Sequence, residues 1–164
     1  MMKNAPLLSR ASAALCLLCL FGVARGGPMS EVGEQIQVSA AQGRVLVHIT
    51  LENSGAGTVY VPKAIAGAEQ LSSRLFQIVE AGSGAPVDYV GKMLKRGPLT
   101  AADYVTLAPH ASLRHSIDIG ASYAFVPGTH SYRLSHDGSY LTDLARLDAA
   151  TPLAPASAQF SFTR

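Results

Sequence analysis

Tryptophan is absent from the 164 residues and cysteine occurs only twice. Cys16 and Cys19 both lie in the apolar run AALCLLCLFGV (13 to 23), which follows Lys3 and Arg10 and precedes the small residues Ala24 and Gly26. A basic start, an apolar run and small residues in that order make an export signal. The expectation is a signal peptide over 1–26 and a secreted or periplasmic product with no thiols, which excludes both disulfides and thiolate sites. Leu15 and Leu18 precede the cysteines, so the small-residue pattern of a lipoprotein signal is missing. The apolar run is shorter than the roughly 20 residues that a spanning helix needs, and no later stretch approaches that length, so no membrane span is expected.

Charge is scarce as well, at 15% of residues. The formal net charge of +2 falls to −1 once residues 1 to 26 are set aside, because ten basic and eleven acidic residues remain. Without a broad basic field, nucleic acid is not an expected partner. The missing tryptophan also weakens the case for a stacking platform of the kind used on bases or sugars. About 138 residues is enough for one hydrophobic core, so 27–164 reads as a single domain held by packing alone.

What the chain has in abundance is period-two alternation, the mark of half-buried strands. RVLVHITLE (44 to 52) puts Val45, Val47, Ile49 and Leu51 on one face, NSGAG (53 to 57) turns, and TVYVP (58 to 62) continues. RLFQIVEA (74 to 81), closed by GSGA, predicts a hairpin with PVDYVG (86 to 91). SLRHSIDIG (112 to 120), THSYRLSH (129 to 136) and SAQFSFTR (157 to 164) complete the series. About seven to eight short strands separated by turn signals predict an all-β, immunoglobulin-like antiparallel two-sheet sandwich. In LAPHAS (107 to 112), Pro109 suits a turn corner and His110 the positive φ that follows it. Helix is expected at most in SYLTDLARLDAA (139 to 150), where Tyr140, Leu144 and Leu147 recur at helical spacing, with a loop crossing as the alternative.

Catalytic motifs are missing. No HExxH, GxSxG, GxxxxGK[ST] or GxGxxG string occurs, and the consecutive Ser, His and Asp of SHDG (135 to 138) cannot converge on one substrate atom. A non-enzyme without a cofactor is expected. His115, His130 and His136 are candidate Zn or Cu ligands if their strands pair, against the simpler reading of sheet-margin histidines bonded to backbone.

The remaining feature is YVGKMLKRGPLTAADYVTL (89 to 107), which gathers Lys92, Lys95 and Arg96 between Tyr89 and Tyr104. A dibasic processing site at Lys95-Arg96, a phosphate grip and a solvated strand end are alternatives to a protein-docking edge. Arg and Tyr favour interface centres, and a hairpin-like layout would bring Tyr89, Arg96 and Tyr104 together.

From LENSGAGTVYV (51 to 61) through LFQIVEAGSGAPVDYVGKMLKR (75 to 96) to DYVTLAPHASLRHSIDIGASYAFVPGTHSYRL (103 to 134), the chain resembles the N-terminal β-sandwich region of deuterolysin-type and lysine-specific secreted zinc metallopeptidases. That region is pro-segment-like; the catalytic domain that would follow it is not in this sequence, and His110 stands where the family usually has glycine. The resemblance implies a non-catalytic exported protein-binding domain, a chaperone or inhibitor of a secreted protease, with a secreted metallopeptidase as the candidate partner. The competing expectations are a small-ligand or carbohydrate-binding module and a histidine-based metal carrier.

Overall fold

Alternating residues become strands only where one face can be covered, and here two three-stranded sheets cover one another. The structure, a computed structural model, describes residues 31 to 164; the expected signal peptide, with Cys16 and Cys19, lies outside the described residues. The first sheet has the order β1 (Val32–Ala41), β2 (Arg44–Asn53), β6 (Ser112–Asp118), and the second β10 (Ala156–Thr163), β7 (Thr129–His136), β4 (Gln77–Glu80). Two ribbons complete the fold: β3 (Val59–Pro62) with β5 (Tyr104–Leu107), and β8 (Ser139–Tyr140) with β9 (Thr151–Pro152). Every ladder is antiparallel, and of the ten described strands eight have four residues or more. The all-β sandwich read from the sequence is the observed fold class.

The inward faces are those the alternation implies. Val45, Val47, Ile49 and Leu51 of β2 are buried with Ile117 of β6 and Ile119 beyond it, facing Tyr132, Leu134, Phe160 and Phe162 of the other sheet. Phe125 lies among these aromatic rings, with centroids 5.0 Å from Tyr132, 5.2 Å from Phe162 and 6.1 Å from Phe160 in edge-on contacts. The Tyr123 hydroxyl donates to the Phe76 carbonyl at 2.8 Å and accepts the Phe76 N–H at 3.2 Å, tying the run into β4 to the loop before β7. Burial pushes this phenol up to about 12, so it keeps the proton it donates.

Polar residues set the corners. Asn53 is fully buried, and its Nδ2 donates to the carbonyls of Gly57, Leu107 and Ala108 while its Oδ1 accepts the Gly55 N–H. One side chain thus fixes the NSGAG turn and ties it to the end of β5. His110 has φ 56°, the left-handed conformation that the LAPHAS turn asks of it.

The structure departs from the sequence reading at three places. β1 was not among the expected strands. It pairs with β2 along its whole length through a turn at Gln42 and Gly43, both at positive φ as a two-residue hairpin requires, but Gln-Gly is a weaker signal than Asn-Gly. Its inward face also carries a glutamate, Glu34, which interrupts the apolar alternation. The candidate helix at 139 to 150 is not formed. Leu141 instead exchanges backbone bonds with Tyr60 at 2.8 and 2.9 Å, and Asp143 caps a turn through the Ala145 N–H, so the chain crosses as a loop. The helical turn that does form, α1 (Lys63–Ala66), directly follows β3.

Candidate functional site

The hairpin-like layout expected for residues 89 to 104 is replaced by a strap. Tyr89 is drawn into a bridge with Tyr123, their rings edge-on at 5.3 Å, whereas Tyr104 opens β5 opposite Pro62; no ladder joins their segments among the described residues. Between them the chain runs exposed and irregular over Gly91 to Thr100, as Gly97 and Pro98 favour. Tyr89, Arg96 and Tyr104 are therefore not gathered by strand pairing.

Backbone bonds hold the strap down. The N–H groups of Val90 and Gly91 both donate to the Ser122 carbonyl, and the Leu94 N–H donates to that of Ser72 at 2.9 Å. Arg96 donates to the Ser72 hydroxyl. The Tyr89 hydroxyl bonds the Lys92 carbonyl at 2.7 Å, and burial raises its phenol above the ordinary value. A Cβ on Gly91 would stand 2.7 Å from that hydroxyl, so the Tyr-x-Gly step has a steric cause: only glycine lets the tyrosine fold back beneath its own chain. At the far end Thr100 caps the 3-10 turn Ala101–Asp103, with the Asp103 carboxylate accepting both the Thr100 N–H and its hydroxyl. Those bonds, the backbone one foremost and helped by Arg96 and Lys63 nearby, hold the Asp103 carboxyl below its usual range.

Pinned at Val90, Gly91 and Leu94, the strap turns side chains outward. Val90 is 60% exposed, Met93 75%, Leu94 62% and Leu99 51%; four of the five exposed large apolar residues in the described chain thus fall within ten positions. Lys92, Lys95 and Arg96 stand among them, all exposed. Lys92 makes one long contact, 3.4 Å to Gln70, and Lys95 has no partner among the described residues. A groove of about 530 Å³ runs along one side, bounded by Leu94, Arg96, Pro98, Leu99, Lys63 and Asp103. The interleaved apolar positions, V-x-x-M-L-x-x-x-x-L, are visible in the sequence but are not part of the docking edge expected from the basic residues and Tyr89 and Tyr104.

The three histidines are separated. His115 lies on the first sheet, its Nε2 against the Ala68 carbonyl at 2.8 Å. His130 and His136 lie on β7, which pairs with β10 and β4 and not with β6. His130 bonds Glu80 at 2.7 Å through Nδ1, which holds the imidazole above and the carboxyl below their ordinary values; for Glu80 the larger cause is the Ser83 hydroxyl. His136 is buried and bonds Glu34, the inward-facing glutamate of β1, across the sheets. No three His, Cys, Asp or Glu side chains group as a metal site among the described residues.

Comparison with known proteins reaches the same neighbourhood as the sequence motifs. The chain is 30% identical over 117 residues to a "Probable neutral protease 2 homolog" of Arthroderma benhamiae and equally to one of Trichophyton verrucosum, in each case over 70% of this chain. It spans about 30% of the length of these relatives. The similarity is consistent with a peptidase-related region. No protein-family profile matches. Among solved structures, the structural genomics target SoR45 aligns at TM-score 0.40 and 11% identity over 82% of this chain and 84% of its own. A PapD-like domain of human CEP192 aligns at 0.38 and 14% over 92% and 94%. Neither score carries weight beside the strand topology itself.

Proposed function

We propose that this chain is a non-catalytic exported domain that docks on a secreted metallopeptidase through the strap at residues 90 to 99, as a detached pro-segment would, serving as its chaperone or inhibitor. The observation that carries the reading is the strap itself. Exposed Val90, Met93, Leu94 and Leu99, gathered on a chain pinned at Val90, Gly91 and Leu94, make an apolar patch with Arg96 beside it and Lys92 and Lys95 as its rim, the layout of a docking face rather than of a solvated loop. Preorganised backbone lowers the entropy lost on docking. The similarity to protease homologues supplies the class of partner, and the basic rim suits a face bearing carboxylates.

The test uses the purified chain and a purified secreted metallopeptidase from the same organism, with affinity followed by interferometry and peptidase activity read alongside. Binding weakened at least about tenfold by Lys95→Glu with Arg96→Glu is the expected result, because two reversed charges on the rim would face the partner's carboxylates as like charges. Equal affinity of the wild type and the double variant would remove the strap from the account.

A further inference from the structure

The Glu34 and His136 pair has no part in the docking face, and a cavity opens beside it. About 130 Å³ of partly open space is lined by Leu51, Val61, Ile65, Leu75 and Leu153, with His136, Asp137 and Ser139 as its polar edge and the half-buried Ala64 on its open side. For scale, a cavity of roughly 150 Å³ admits benzene. The Glu34 side chain is fully buried and both its oxygens lie 2.9 Å from Nδ1 of His136, whose own side chain is 9% exposed. A carboxylate only accepts, so Nδ1 carries the proton; in the neutral ring Nε2 is then an acceptor, and no protein group among the described residues satisfies it. Asp137 is exposed and makes no bond among the described residues, so it adds a second free acceptor at the rim. The dyad is also built: a Cβ on Gly138 would lie 2.9 Å from His136 Cε1 and 3.3 Å from Glu34 Oε2, so glycine is what leaves room for it.

An apolar sleeve of this size with acceptors at its polar edge selects a short aliphatic body that ends in a hydrogen-bond donor, and the free carboxylate favours a cationic one over an anion. We infer that the cavity between α1, β8 and the end of β7 binds a primary alkylammonium group, either a free small amine or a lysine side chain, with its methylenes against Leu51, Ile65 and Leu153 and its ammonium between His136 Nε2 and Asp137. The site shares Ala64 of α1 with the groove beside the strap but none of residues 90 to 99, so its failure leaves the docking proposal standing.

The full domain, labelled at methyl and imidazole carbons, is titrated near pH 7.5 with n-butylammonium chloride, sodium butyrate, n-butanol and Nα-acetyl-lysine N-methylamide. Saturable shifts at Leu51, Ile65, Leu153 and His136 with n-butylammonium, with a dissociation constant on the order of 1 mM, are expected. Asp137→Asn, on the surface, should weaken that binding about fivefold, the scale of a partly exposed charge contact, and Ala64→Leu, which fills the mouth, should abolish it. A response to the lysine amide as well assigns a side chain, and its absence there a free amine. Binding of butyrate or butanol as tight as that of the amine, shifts that survive Ala64→Leu, or no saturable shift at all overturns the inference.

Discussion

The paired sheets and the strap solve opposite problems with the same chain. In the sheets, side chains are buried and the backbone is satisfied by ladders, so apolar residues at every second position suffice. In the strap, only the N–H groups of Val90, Gly91 and Leu94 are tied down, by carbonyls borrowed from Ser122 and Ser72, and apolar side chains are left in water. A segment pinned to the domain while its hydrophobes stay in water lacks the burial that usually accompanies order, and under the proposed function a partner would supply it.

Substitutions that strike the sheets should therefore cost stability, and those of the strap's exposed side chains should cost binding alone. The largest effect is expected for Asn53→Leu, which leaves the carbonyls of Gly57, Leu107 and Ala108 and the Gly55 N–H without their partner; chemical denaturation should show a loss of about 2 to 4 kcal/mol. Tyr123→Phe removes one hydroxyl that serves both backbone groups of Phe76, and about 1 to 2 kcal/mol should go with it in the same assay. Gly91→Ala forces the Tyr89 ring off the Lys92 carbonyl at a cost of about 1 kcal/mol, with partner affinity falling further than stability does. Lys95→Glu with Arg96→Glu should shift unfolding by less than about 0.5 kcal/mol while affinity collapses.

Acid offers a reversible way to sharpen the contrast. Asp103 is held below its usual value in the folded chain, so its cap on the strap is fully present above the unfolded carboxyl value of about 4 and is lost as pH falls through the folded one. Amide exchange at Thr100 and Asp103, corrected for intrinsic rates, should quicken between pH 5 and pH 3 while the β2 amides stay protected.

Legibility in the sequence followed the same division. β2, β6, β7 and β10 could be read because burial of one face writes a period of two into the residues. β1 was hidden by Glu34, an inward charge whose partner, His136, is 102 positions away, and no local pattern announces a pair of that kind. The helical spacing at Tyr140, Leu144 and Leu147 misled because Leu141, not those residues, has the deciding contact, a backbone exchange with Tyr60. In the strap, Tyr89, Lys92, Lys95, Arg96 and Tyr104 were picked out by type, but their layout was not, since it depends on carbonyls of Ser72 and Ser122 that sequence distance conceals. A histidine cluster needs β6 beside β7, and alternation does not encode which strands share a sheet; β6 pairs with β2, and β7 with β10 and β4.

Hydrogen–deuterium exchange of the chain with and without a secreted metallopeptidase tests the central claim most directly. Protection gained on complex formation should be concentrated at Val90 to Thr100, with the β1-β2-β6 and β10-β7-β4 ladders unchanged. Exchange in the strap that the peptidase leaves unaltered, or protection that appears on the sheet faces instead, would contradict it.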